Sequence, residues 1–349
     1  MTAWGSRRRL LTALTHSQAC AGAIDEHGYW IRLHRPAMAC RFEITLADRE
    51  CPFVPAARAA LDEIDRLEAE LSVFRETSVI SALNRRAAQA PVPAPPQIIE
   101  LLARCQWWHQ ETGGAFDITT TPLSRCWGFR RRQGRVPDAV EIDLARAWVG
   151  LDRVEIDSTG GTVAYRQGGI ELSLGAIGKG YALDRAGSLM RSAGVPHALL
   201  SAGRSSLLGI GGRNGGWWID LVSPLFAGGP IGGLRLRNAA VGTSGAGEQF
   251  VIADGRRYGH VIDPRTGWPA RGTVSATVVA SDAATADALS TAFFVGGAEL
   301  ARKYCAQHRD VLAIITPEHG SRYPIVIGQH PGARILQLRA LANADSGRS

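Results

Sequence analysis

Glu171-Leu-Ser-Leu-Gly175-Ala176-Ile177-Gly178-Lys179-Gly180-Tyr181-Ala182-Leu183-Asp184 runs an apolar, strand-like segment into a glycine-rich turn that opens a helix. Glycines let a backbone come close to an anion, the first N–H groups of a helix point at it, and a lysine adds a point charge. The stretch therefore has the layout of a phosphate-binding turn, with a glycine spacing unlike that of the P-loop or the dinucleotide fingerprint. A plain strand-to-helix turn with a surface lysine would carry the same letters. Of the 39 Lys and Arg residues only Lys179 and Lys303 are lysines. A compact ammonium at 179 thus marks a position where a guanidinium would not serve.

Outward from this stretch, the helix is predicted to run from about 179 to 193 and to stop at Gly194. Alternating segments at 154–156, 163–165 and 170–174 predict strands on its N-terminal side. Glycine-bounded runs at 207–210, 217–222, 234–236, 250–252 and 277–280 predict a twisted antiparallel sheet on the other. A helix over 283–295 and a strand pair at 311–315 and 323–327 complete that half. Towards the N-terminus, a strand at 41–46 precedes an amphipathic helix marked by Leu61, Ile64, Leu67, Leu71 and Phe74. A proline-rich segment, 90–96, then leads to a helix over 98–112 stopped by Gly113-Gly114. The chain reads as α+β, with largely antiparallel sheets flanked by helices. Residues 1–35 read as an N-terminal extension, 36–335 as one unit of two interlocked lobes, and 336–349 as a flexible tail.

Composition narrows the function classes. Apolar residues make up 45% and charged residues 20%, as in ordinary soluble globular proteins. No apolar run approaches the roughly 20 residues that cross a bilayer. The net charge of +7 has its densest cluster at Arg125, Arg130, Arg131, Arg132 and Arg135, where only Trp127 and Phe129 are aromatic. That cluster reads as a solvated loop or a grip on an anionic ligand, and no nucleic-acid motif surrounds it. Six scattered cysteines without a CxxC read as free structural thiols. Ser6-Arg7-Arg8-Arg9-Leu10-Leu11 opens like a twin-arginine signal, but His16, Ser17 and Gln18 interrupt the apolar run, which favours the cytoplasm over the periplasm. Residues 17–20 lack a lipoprotein cleavage context.

Three further segments can carry chemistry. In Asp282-Ala-Ala-Thr-Ala-Asp287-Ala-Leu-Ser290-Thr291, the oxygens of Asp287, Ser290 and Thr291 share one helical face, an arrangement suited to a hard cation. The alternative is an Asp favoured by the helix dipole, with hydroxyls bonded back to the backbone. In Tyr258-Gly-His260-Val261-Ile262-Asp263-Pro264-Arg265-Thr266-Gly267, Pro264 at the second turn position and Gly267 at the end of the turn predict a type I turn. His260, on the strand face of Ile262, can exchange a proton near neutral pH or serve structurally. In Thr112-Gly113-Gly114-Ala115-Phe116-Asp117-Ile118-Thr119, a permissive turn with an aromatic and a carboxylate can hold a flat ring; equally, Phe116 can plug the core and Asp117 can cap the succeeding residues.

In order and wording these segments resemble the FAD:protein FMN transferase (ApbE) family from about residue 36 to 297. Pro36-Ala-Met38-Ala-Cys-Arg-Phe42 is similar to the family's Met-Gly-Thr-x-Phe opening, and Ser78-Val-Ile-Ser-Ala-Leu-Asn84 to its Ser-Glu-(Ile/Leu)-Ser-x-Leu-Asn. Residues 113–128 resemble its Gly-Gly-Ala-Phe-Asp…Pro-Leu…Trp-Gly block. The resemblance implies an ApbE-like, T-fold-related architecture. It also implies Mg²⁺ held by Asp287, Ser290, Thr291 and the Ala176 carbonyl, with FAD contacts from Met38, Phe116, Asp117, Ile118, Ser173, Lys179, Val261 and Ile262. The implied reaction passes FMN from FAD to a Ser or Thr of a target flavoprotein and releases AMP, with Lys179 neutralising charge and His260 accepting the hydroxyl proton. An FAD pyrophosphatase giving FMN and AMP, or a silent FAD-binding protein, are the alternatives. Three departures bear on them: Ser173 replaces the aspartate of Asp-Leu-Gly-Gly, Ser205 that of Asn-Leu-Gly-Gly-Asp, and Ala246 that of Thr-Ser-Gly-Asp-Tyr.

Overall fold

The computed structural model describes residues 29–131, 133–212, 215–222, 230–247, 249–321, 323–336 and 338. The arginine motif at 6–11, residues 16–20, Arg132 and nearly all of the 336–349 tail lie outside the described residues. The chain divides into two compact units. Leu67–Ala176 and Ala246–Arg271 form the first; 29–66, Ile177–Gly245 and the residues from 272 onward form the second.

The second unit is built on an eight-stranded sheet. Its order is Trp30–Ala37, Cys40–Ala47, Ala198–Ala202, Ser206–Ile210, Ala239–Gly245, Thr273–Ala280, Leu312–Pro317 and Ile325–Gly328. Every neighbouring pair is antiparallel. Thr273–Ala280 is buried along its whole length, as a strand covered on both faces must be. On one face Leu199, Val241, Val279, Leu312 and Ile314 pack against Trp217, Ile219, Leu234 and Leu236 of a small sheet. That sheet joins Ala333–Leu336, Gly232–Leu236 and Trp217–Leu221. On the other face lie the helices Gly178–Ser192 and Ala283–Gln307.

Glycines let these layers close. A Cβ on Gly242 would stand 2.4 Å from the carbonyl oxygen of Ala286, one on Gly187 2.4 Å from Leu208, and one on Gly180 2.1 Å from the carbonyl of Ala283. Gly180→Ala is therefore expected to lose about 3 kcal/mol, because backbone rather than a pliable side chain blocks the methyl. A lowered denaturation midpoint at unchanged slope checks this.

The structure alters several sequence expectations. Trp30–Ala37 is an edge strand, so the sheet begins inside the stretch read as an extension; its alternating exposure is the period-2 signal of a half-buried strand. Met38 (φ 48°) and Ala39 (φ 58°) make the two-residue turn to Cys40–Ala47. An alanine is strained in that left-handed region, and Ala39→Gly is expected to raise stability by about 0.5–1 kcal/mol in thermal denaturation. The runs read as one sheet fall into three, since 217–221 and 232–236 belong to the small sheet and Phe250–Ala253 pairs with Arg256–Gly259 in the first unit. The helix read as 283–295 continues to Gln307 past a break at Gly297 (φ 66°, ψ −165°).

Val54–Leu71 stops before Phe74, which is 80% exposed. There the Ser72 carbonyl accepts the hydroxyls of Ser78 and Ser81 instead of a helical amide. Residues 170–174 form no ladder; at their centre Asn84 takes the backbone groups of Leu172, whose N–H donates to Asn84 Oδ1 (2.8 Å) and whose carbonyl accepts Asn84 Nδ2 (2.9 Å).

In the first unit, helices Val79–Arg86, Pro96–Glu111, Thr121–Cys126 and Ala139–Arg146 accompany a sheet of Val92–Pro93, Thr162–Tyr165 and Val154–Asp157. Trp127, Phe129, Ile142, Val251, Tyr258 and Ile262 share one core. Among the described residues Cys40, Cys51, Cys105, Cys126 and Cys305 are free thiols, and no helix is long and apolar enough to cross a membrane.

Candidate functional site

The glycine-rich turn passes at Ile177 into the Gly178–Ser192 helix, whose start has no side-chain cap. Two of its residues reach the Ala283–Gln307 helix. Asp184 accepts the N–H groups of Ala283 (2.7 Å) and Ala284 (2.8 Å), fixing where that helix begins. Gly180 N–H donates to Asp287 Oδ2 at 2.7 Å. The other carboxylate oxygen, Oδ1, accepts the Ser206 hydroxyl at 2.7 Å.

Asp287 is only 5% exposed. Burial pushes its carboxyl up to about 6, against the opposing pull of the Lys179 ammonium and of the Ser206 and Gly180 hydrogen bonds. Lys179 Nζ itself donates to Ser205 Oγ. One turn along the helix, Ser290 Oγ donates to the Asp287 carbonyl (2.9 Å), and Ser244 Oγ lies 2.9 Å from Ser290 Oγ and 3.1 Å from Thr291 Oγ1. Asp287, Ser290 and Thr291 thus do share one face. Ser290 also makes the bond back to the backbone that the alternative reading expected.

Every donor in this cluster is oxygen, with one carboxylate among hydroxyls. Among the described residues no three His, Cys, Asp or Glu side chains gather as metal ligands. That set fits Mg²⁺, which takes one or two carboxylates and completes its shell with water and phosphate oxygens. A buried carboxylate held deprotonated with difficulty is also a group that a cation would relieve.

Apart from Met38, which lies in the second unit, the first unit carries the other predicted residues. Gly113 and Gly114, both at positive φ, end the Pro96–Glu111 helix and turn Phe116 into the core, edge-on to Trp108 at 6.1 Å between ring centroids. Phe116 and Ile118 are fully buried, so the ring is a core plug and not an open platform. Asp117 caps the next turn: its Oδ1 accepts Thr119 N–H (2.7 Å) and the Thr119 hydroxyl (2.6 Å), and its Oδ2 accepts Leu151 N–H (3.2 Å). Burial raises its carboxyl, opposed by His109, whose Nδ1 lies 3.3 Å away. Ser173 N–H donates to the Ile118 carbonyl at 2.7 Å, joining two predicted segments.

His260 comes after the Arg256–Gly259 strand instead of lying within it, and Ile262 makes an isolated bridge to Pro269. His260 Nδ1 lies 3.3 Å from the Gln249 carbonyl, an acceptor, which makes Nδ1 the donor of that contact. The Asp263 carbonyl receives both Thr266 N–H (3.3 Å), which closes the four-residue turn, and Gly267 N–H (2.8 Å) of the next residue, which leaves the turn at φ 76°. In the basic loop, Arg125 forks onto Glu171 and Arg135 onto Glu141, while Arg130 lies over the Phe74 ring.

The sequence reading missed Ser206 and Ser244, which hold the helix's oxygens, and His109 beside Asp117. A serine within a strand carries no local signature, and only the layer packing reveals what it touches.

A lysine-bearing glycine turn bonded to a buried oxygen cluster is the layout that suits an anion beside a hard cation. Comparison with known proteins makes this particular. The ApbE family model matches residues 38–315. The FAD:protein FMN transferases of Treponema pallidum and Klebsiella pneumoniae are 34% and 32% identical to the chain, each over 73% of it and over 76% and 80% of their own lengths. The crystal structure of the ApbE protein of Thermotoga maritima superposes with a TM-score of 0.77 at 31% identity, over 86% of this chain and 97% of that one. The chain belongs to the ApbE family.

Proposed function

We propose that this enzyme transfers the FMN half of FAD to a Ser or Thr hydroxyl of a target flavoprotein and releases AMP. The observation that carries the reading is the buried Asp287 carboxylate, gripped by Gly180 N–H from the lysine-bearing turn and flanked on its helix by Ser290 and Thr291. The names of the relatives support the same chemistry. Asp287, Ser290, Thr291 and the Ala176 carbonyl would hold Mg²⁺, which when bound neutralises charge on the pyrophosphate oxygens.

Lys179 adds a second positive charge for the same oxygens. Met38, Ser173, Val261 and Ile262 are assigned FAD contacts, as are Phe116, Asp117 and Ile118; because the side chains of Phe116 and Ile118 are buried, theirs are assigned to the backbone. In the transfer, the acceptor oxygen forms a bond to the FMN phosphorus, the bond from that phosphorus to the AMP oxygen breaks, and the hydroxyl proton passes to His260 Nε2. Incubation with FAD, Mg²⁺ and a flavoprotein acceptor, with denaturing electrophoresis as the readout, tests the reading. Flavin fluorescence should stay with the acceptor band and vanish with a chelator; a dark band alongside free FMN would contradict it.

A further inference from the structure

Ser206 and Gly242 are paired across neighbouring strands, and Ser244 lies two residues beyond Gly242, so all three share one face of the large sheet. That face meets the Ala283–Gln307 helix, since a Cβ on Gly242 would strike the Ala286 backbone. A glycine that admits the helix is thus flanked by two hydroxyls that touch it. Ser206, fully buried, donates to Asp287 Oδ1 at 2.7 Å. Ser244 lies 2.9 Å from Ser290 Oγ, whose own proton is committed to the Asp287 carbonyl, and 3.1 Å from Thr291 Oγ1.

We infer that Ser206 and Ser244 are positioning residues of a divalent-cation site: they orient Asp287 and Thr291 so that lone pairs of both converge on one ion. The inference rests on the reading of Asp287 and Thr291 as Mg²⁺ ligands. Ser206 and Gly180 fix both oxygens of the carboxylate in one rotamer, leaving their remaining lone pairs for the ion. Ser244 performs the same task for the Thr291 hydroxyl, which would otherwise rotate to bond its own helix backbone. Groups behind metal ligands typically set metal affinity by about 10–100-fold without contacting the ion.

The test is the Mg²⁺-induced shift in melting temperature of the FAD-free protein, titrated for wild type, Ser206→Ala, Ser244→Ala, Ser206→Thr and Asp287→Ala, with turnover measured across Mg²⁺ concentrations. Both alanine variants are expected to need about 10-fold more Mg²⁺ for a half-maximal shift and for half-maximal rate, with kcat at saturating Mg²⁺ within about 3-fold of wild type. Ser206→Thr keeps the hydroxyl and should keep the wild-type midpoint, which a merely structural role would not require. If Asp287→Ala abolishes the shift while folded Ser206→Ala and Ser244→Ala keep the wild-type midpoint, the positioning role is wrong and the metal assignment stands. If Asp287→Ala also keeps the shift, the metal assignment fails and this inference with it. Should Ser206→Ala not fold, Ser244→Ala decides alone.

Discussion

Asp287→Asn is expected to remove Mg²⁺-stimulated turnover, by more than about 100-fold, while making the metal-free protein more stable above pH 6. Both effects trace to one buried carboxylate. Burial raises the Asp287 carboxyl from its ordinary value to about 6, so the folded state favours the protonated form. The destabilisation from its charge is absent below about pH 4, where the group is protonated folded or unfolded, grows through pH 4–6, and is complete above. Its full size is roughly 3 kcal/mol. Asparagine keeps the shape: its oxygen can accept Gly180 N–H, and its amide can donate to Ser206 Oγ. Calorimetry with a chelator should find the variant melting above wild type at pH 8 and level with it at pH 4. Added Mg²⁺ should raise only the wild type. A variant that matches wild-type turnover, or that is less stable at pH 8 than at pH 4 relative to wild type, contradicts the assignment.

His260→Gln is expected to lower kcat by about 10²–10⁴-fold while leaving FAD affinity within about 3-fold, because a lost general base acts on the transfer step. Glutamine retains a donor for the Gln249 carbonyl, so the loop after the Arg256–Gly259 strand should keep its course. Single-turnover rates and equilibrium FAD binding separate the two effects. Weaker FAD binding with kcat intact would recast His260 as a binding residue.

Much of this was legible in the sequence because it rests on local rules. The helix face of Asp287, Ser290 and Thr291 comes directly from helical spacing, and the Gly178–Ser192 helix ends at Gly194 (φ 77°) as its sequence predicts. The features that stayed hidden depend on packing between segments distant in sequence. Ala239–Gly245 has little apolar periodicity, yet it lies in the middle of the eight-stranded sheet because Gly242 lets a helix press against it. Residues 170–174 alternate like a strand, but Asn84, 88 residues from Leu172, takes the backbone groups of Leu172 that a neighbouring strand would need. Phe116 carries equal sequence cues for a ligand platform and a core plug, and only its contact with Trp108 decides between them. Ser205, where the family pattern has an aspartate, holds Lys179 through a hydroxyl, so the lost carboxylate leaves the lysine partnered and not freed.

The most direct test of the central claim is intact-mass spectrometry of an acceptor flavoprotein, or of a peptide carrying its acceptor threonine, after incubation with the enzyme, FAD and Mg²⁺. The predicted result is a mass gain of one FMN less water on that threonine, matched one-to-one by AMP and absent when the metal is chelated. Consumption of FAD to free FMN and AMP, with the acceptor mass unchanged across several acceptors, would contradict it and make the chain an FAD pyrophosphatase.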